Sequence, residues 1–185
     1  MVTPKVRKKI QHRRRQLRLP FGAQRFLSVL EGLEGGFAIS TGVVAGLSFA
    51  RITDKRTLII TAAISILVNG FNAAAMKYSA EHYEDELDGR EKISPWQAYF
   101  MPAAIEFIIY FFVCGLTLLP LLLFTHHLLA VAWCSVLTIS VLFCAGMWRG
   151  YLLKGKVLRD GAEMALAGAL IIVIGAVAGF MLNTL

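Results

Sequence analysis

The sequence predicts an all-α integral membrane protein with five transmembrane helices, and three observations carry that prediction. The chain is 57% hydrophobic and only 17% charged, with a mean hydropathy of +0.63, which is too apolar for an ordinary soluble domain of 185 residues. Five stretches approach the ~20 apolar residues that a helix needs to cross a bilayer. No run shows the strict apolar–polar alternation of a membrane barrel, and each loop is too short for a second domain.

The first span, Phe26 to Phe49, is the unusual one, because it carries Glu31 and Glu34 a helical turn apart. A central acidic residue costs about 2.5 to 3.5 kcal/mol on insertion scales, while the roughly eleven Leu, Ile, Val and Phe side chains return about 0.3 to 0.6 each. A helix so near break-even needs a partner, water or a cation beside its glutamates, so an ion or proton pathway is expected rather than an anchor. On a helix, Glu31, Glu34, Ala38, Thr41, Gly42 and Ala45 share one polar, small-residue face. Gly32 with Gly36, and Gly42 with Gly46, give spacings that let a second backbone approach closely in lipid. A self-contact of this helix in a twofold homodimer would gather four carboxylates, an oxygen-rich setting for a divalent cation. Arg and Lys are absent from the centres of the other spans, which disfavours pairing of these glutamates within the bundle.

The second span, Leu58 to Ala80, brings Asn69, Asn72 and Met76 onto one stripe, offering amide oxygens and a thioether as candidate ligands; interhelical hydrogen bonding is the alternative use for such residues. After it comes EHYEDELDGRE, the one acidic cluster of the chain, within an expected cytoplasmic loop 81–97. If the helix continues through it, Glu81, Glu84, Asp85 and Asp88 line one face beside His82 and would attract cations to a pathway entrance. A calcium loop starting at Glu84 is excluded, because Pro95 falls where its bidentate Glu belongs. The third span, Ala98 to Phe124, carries Glu106 one turn after Pro102, a candidate proton carrier. The fourth and fifth spans run from Leu128 to Trp148 and from Glu163 to Leu182. Cys114, Cys134 and Cys144 lie within spans with no CxxC spacing and read as packing residues.

Charge orients the bundle. Of 19 Lys and Arg residues, most fall at one end if the N-terminus is cytoplasmic, and only Arg51, Lys55 and Arg56 fall beyond the far side. Residues 1–25 form a basic cytoplasmic arm, and residues 26–185 form the membrane domain. The arm, VRKKIQHRRRQLR, would also suit anionic lipid or nucleic acid. Its topogenic role already accounts for the charge, so no nucleic-acid partner is expected, and the glutamate-bearing apolar run after it is too long for a cleaved signal peptide. The different-class alternative is a membrane scaffold that holds anionic lipid or a protein through this arm. No GxSxG, HExxH, P-loop or GxGxxG motif occurs, and the adjacent His126 and His127 do not share a helix face, so no enzyme is expected.

The run LEGLEGGFAISTGVVAGL resembles the first span of the vacuolar iron transporter family, with Glu34-Gly35 at its acidic-Gly position. NGFNAAAMKYSAEHYEDEL is similar to the family's second span, with Tyr78 matching a family Tyr, and LTLLPLLL and the Gly-rich fifth span fit as well. The resemblance implies a homodimer of five-helix protomers that exports Fe²⁺ or Mn²⁺ as transported substrate in exchange for protons, with no resident cofactor and with Glu34 in the path. Glu34, nearer the span's middle than Glu31, is expected to couple metal to proton. Three positions depart from the family pattern: Glu34 where Asp is commoner, Ala73 at the second-span Met position, and Lys77 where many members carry Glu. The short acidic stretch in place of a helical metal-binding domain implies a prokaryotic inner membrane rather than a vacuole.

Overall fold

The computed structural model describes residues 23–50, 54–87, 89 and 94–184. The five predicted spans correspond one to one with five helical segments: α1 (Ala23–Phe49), α2 (Lys55–Leu87), α3 (Met101–Leu123), α4 (His127–Leu152) and α5 (Val157–Leu182), with a π-helical turn, Trp96–Phe100, leading directly into α3. Each is long and apolar enough to cross a membrane. Phe112, Leu123, Leu166 and Ile174 are among many large apolar side chains that point away from the bundle, a surface suited to lipid. The chain is thus a multi-pass integral membrane protein. The basic arm lies outside the described residues except at its end, where Arg25 is exposed.

α1 packs against all four other helices, and its small residues explain why it can. A Cβ on Gly46 would stand 2.9 Å from the Gly175 carbonyl oxygen, and Cβ atoms on Gly175 and Gly179 would collide with the carbonyl oxygens of Gly42 and Gly46. α1 and α5 therefore meet backbone to backbone. Gly32 and Gly36 serve the same purpose toward α3, where the opposing atoms belong to Glu106, Ile109, Tyr110 and Val113. Both small-residue pairs are taken up inside the protomer, so a twofold self-contact of α1 would have to use other residues. The face expected to be polar also divides: Ala38, Thr41 and Ala45 are fully buried, whereas Glu31 is exposed and Glu34 half-buried.

The core is continuous through all five helices, joining Val44, Leu58, Ile66, Tyr110, Val131 and Ile172. Neutral hydrogen bonds cross it at mid-depth. Ser40 and Thr117 hydroxyls lie 2.6 Å apart, as do those of Thr41 and Thr138, and the Cys134 thiol donates to the Thr117 carbonyl at 3.0 Å. Cys114 and Cys134 are buried packing residues, while Cys144 is exposed; all three are free thiols.

Two boundaries differ most from the sequence prediction. α2 runs 33 residues, about 50 Å at 1.5 Å per residue and well beyond a ~30 Å hydrocarbon core. The first part of the expected 81–97 loop is therefore helix. Glu and Leu are good helix formers, and the first glycine after them is Gly89, whose φ of 63° suits a chain leaving a helix. Asp88 lies outside the described residues. α5 likewise begins at Val157 rather than near Glu163, and its first turns carry an Arg159–Glu163 pair one turn apart at 2.8 Å, with Gly161 packed so closely on α4 that a Cβ there would stand 2.8 Å from Met147. At the other end of α2, Asp54 caps the helix, accepting hydrogen bonds from the Thr57 hydroxyl and from the Thr57 and Arg56 backbone N–H groups. Those bonds hold the Asp54 carboxyl below its ordinary pKa. Lys55 beside it donates to the carbonyls of Leu122 and Phe124 at 3.2 Å each, satisfying the end of α3.

Candidate functional site

Three helices bring their charges together at one end of the bundle. Gly70 lets α2 lie against the Tyr110 ring, where a Cβ would stand 2.7 Å from the ring, and Gly32 lets α1 lie 2.8 Å from the Glu106 carbonyl by the same measure. Two helical turns beyond Gly70 along α2 is Lys77. Its ammonium is ion-paired with Glu31 of α1, lies 3.5 Å from Glu81 one turn on along α2, and lies 3.8 Å from Glu106 of α3. The Lys77 side chain is 10% exposed, and those of Glu106, Glu81 and Glu31 are 9%, 21% and 48% exposed, so the cluster grades from the bundle interior to its surface.

Among the described residues, the three carboxylates share this one ammonium. Glu106 is the most enclosed of them, and its Oε2 makes no hydrogen bond among the described residues; the Tyr110 hydroxyl, one turn along α3, is also buried without a hydrogen-bond partner. Orphaned polar atoms of this kind are costly in a low-dielectric interior and rare in structural networks.

Beyond this cluster, the extension of α2 meets the π-helical turn. Tyr99, completely buried, donates its hydroxyl to Asp85 at 3.1 Å. The Tyr99 ring lies 5.0 Å from the His82 ring and 6.3 Å from that of Tyr78. Asp85 is thereby tied to the bundle, whereas Glu84 is exposed. Short π segments re-aim side chains, and here one turns Tyr99 inward.

The remaining candidate residues are placed differently. Glu34 is half-buried one turn deeper than Glu31, with no hydrogen bond or ion pair among the described residues. Asn72 and Met76 are exposed and bonded to each other, the Asn72 amide donating to the thioether at 3.6 Å, and Asn69 is half-buried. The buried stripe of α2 is instead Leu58, Ala62, Ile66 and Gly70, so the amide stripe looks away from it. Among the described residues, no three His, Cys, Asp or Glu side chains converge tightly enough to enclose a metal ion in this single chain. The Lys77 ammonium stands between the carboxylates that come nearest to doing so.

The expectation that the first-span glutamates lack a partner in the bundle fails for Glu31. Lys77 sits near the end of its span, where an ammonium is cheap to place, and Glu31 is near the matching end of α1. A comparison of span ends rather than centres would have paired them. Tyr99 and Tyr110 carried no sequence signal beyond being aromatic.

Five membrane-crossing helices, three of which bring carboxylates together around one ammonium, define a polytopic membrane protein with charge held between its helices. The sequence profile of the VIT family matches residues 73–180, more than half of the chain, and the protein belongs to that family. The matched region holds Lys77, Glu81 and Glu106, while Glu31 and Glu34 precede it. No curated protein matches the chain. VIT family transporters are not enzymes, and membership is consistent with divalent metal transport.

Proposed function

We propose that this protein exports Fe²⁺ or Mn²⁺ from the cytoplasm in exchange for protons, as a homodimer in a prokaryotic inner membrane, with the N-terminus and the charged end of the bundle facing the cytoplasm. The observation that carries the reading is Glu106: a carboxylate 7% exposed, facing two others across a single ammonium, within a VIT family membrane protein. A carboxylate held between membrane helices is expensive unless a cation visits it. Carboxylate oxygens are hard ligands that suit Mn²⁺ and Fe²⁺.

In this reading Glu81 and Glu84 draw cations to the entrance, with Asp85 held in place by Tyr99. Glu106 and Glu31 receive the ion, and Glu34 is the next carboxylate along α1. Asn69, Asn72 and Met76 face outward and would reach the ion only from the partner side of a dimer. Metal binding favours ionised carboxylates, so loading the ion and releasing protons are one event. The test is purified protein in liposomes. Fe²⁺ or Mn²⁺ should move against protons, and the absence of metal flux under any proton gradient would sink the proposal. Glu34→Gln should abolish that flux and leave the protein folded, while unaltered flux would remove Glu34 from the path.

A further inference from the structure

We infer that Lys77 is a tethered cation occupying the position the transported metal takes, so that metal enters only by displacing its ammonium. The inference rests on the transport reading above and adds a determinant of affinity to it. One Nζ meets carboxylates from three different helices, Glu31 on α1, Glu81 on α2 and Glu106 on α3. Oxygens arranged around an ammonium in this way would equally surround an oxygen-ligated cation. The arrangement is more than an acidic patch, because Glu106 is over nine-tenths buried and its Oε2 faces the ammonium at 3.8 Å with no hydrogen bond among the described residues. A donor of that kind is poorly served by the lysine and better served by a metal at bonding distance.

The displaced ammonium has somewhere to go. Glu81 lies one turn further along the same helix, 3.5 Å away and more exposed than Lys77. Lysine's four-carbon stem is flexible, so Nζ can swing to Glu81 alone while metal takes Glu31 and Glu106. The consequence is a site whose affinity for divalent metal is held down by its own side chain, which favours release over retention. A structural role makes the opposite demand: there, Lys77 is a counter-ion that keeps the carboxylates from repelling one another.

Mn²⁺ binding to the purified full-length protein, followed by the electron paramagnetic resonance of free Mn²⁺, separates the two. Lys77→Gln should bind Mn²⁺ at least about tenfold more tightly, because a unit charge next to the ion has gone. Lys77→Arg should stay near the wild-type affinity. Unchanged or weaker binding by folded Lys77→Gln, with Mn²⁺ still bound by the wild type, overturns the displacement model and leaves the transport reading standing. A second readout needs no variant: amine labelling of wild-type Lys77, measured by mass spectrometry, should rise as Mn²⁺ saturates the protein. Labelling that stays constant through saturation also overturns the inference, and failure of wild type and Lys77→Gln alike to bind Mn²⁺ overturns it together with the function it rests on.

Discussion

The middle of the bundle and its charged end solve the same problem, polar groups inside a membrane, in opposite ways. At mid-depth two hydroxyl pairs 2.6 Å apart, neutral and mutually satisfied, tie α1 to α3 and α4. At the charged end, three carboxylates gather at one ammonium and Glu106 Oε2 makes no hydrogen bond among the described residues. A satisfied neutral network needs nothing further and reads as structure. An unsatisfied charged one reads as a place where something binds, because burial of net charge without a partner opposes folding.

The contrast can be broken most severely at the helix contact that supports both regions. Gly175→Leu would drive a side chain into the Gly42 backbone, where no rotamer offers an escape. Overpacking of this kind typically costs about 1 to 3 kcal/mol and here falls on rigid backbone, so the largest loss of thermal stability is expected, with flux lost in proportion to folded protein. A melting temperature equal to wild type would show that α1 and α5 do not meet as described.

A milder change sharpens the comparison. Thr138→Val leaves the Thr41 hydroxyl without its partner and should cost about 1 kcal/mol in stability, while metal flux per folded molecule stays at the wild-type level. A loss of flux larger than the loss of fold would move the hydroxyl pairs from structure into the pathway. The smallest effect is expected at the far end of α2. The cap holds the Asp54 pKa below its unfolded value, so its contribution is present above the ordinary carboxylate pKa and is lost as pH falls through the lowered one. Asp54→Ala should therefore lower the melting temperature slightly at neutral pH and not at all in strong acid, a difference that paired thermal scans would detect.

Much of the architecture was legible because hydropathy and length suffice to find lipid-crossing helices: every span from Phe26 to Leu182 has its helix. The site was legible by halves. Glu31 and Glu106 stood out because carboxylates are rare and expensive in spans, and Glu81 as the first residue of the acidic cluster, but their meeting depends on which helices approach, and spacing alone does not say. Gly42 and Gly46 announced a close backbone contact without naming α5 as its partner. Lys77 registered as a departure from the family pattern, and its place among the carboxylates emerged only once α1, α2 and α3 were brought together. Tyr99 was hidden for a different reason, since its inward aim comes from a π-helical turn that no local composition signals.

The central claim is that divalent metal passes through the charged end, and Glu106→Gln tests it most directly because it removes the most buried charge while preserving shape. In liposomes loaded with equal amounts of folded protein, Mn²⁺ flux should fall to background for Glu106→Gln and persist for wild type and Thr138→Val. Glu106→Gln should also be at least as heat-stable as wild type, since a buried charge short of partners has gone. Mn²⁺ flux by Glu106→Gln at the wild-type rate and with the wild-type pH dependence would contradict the account.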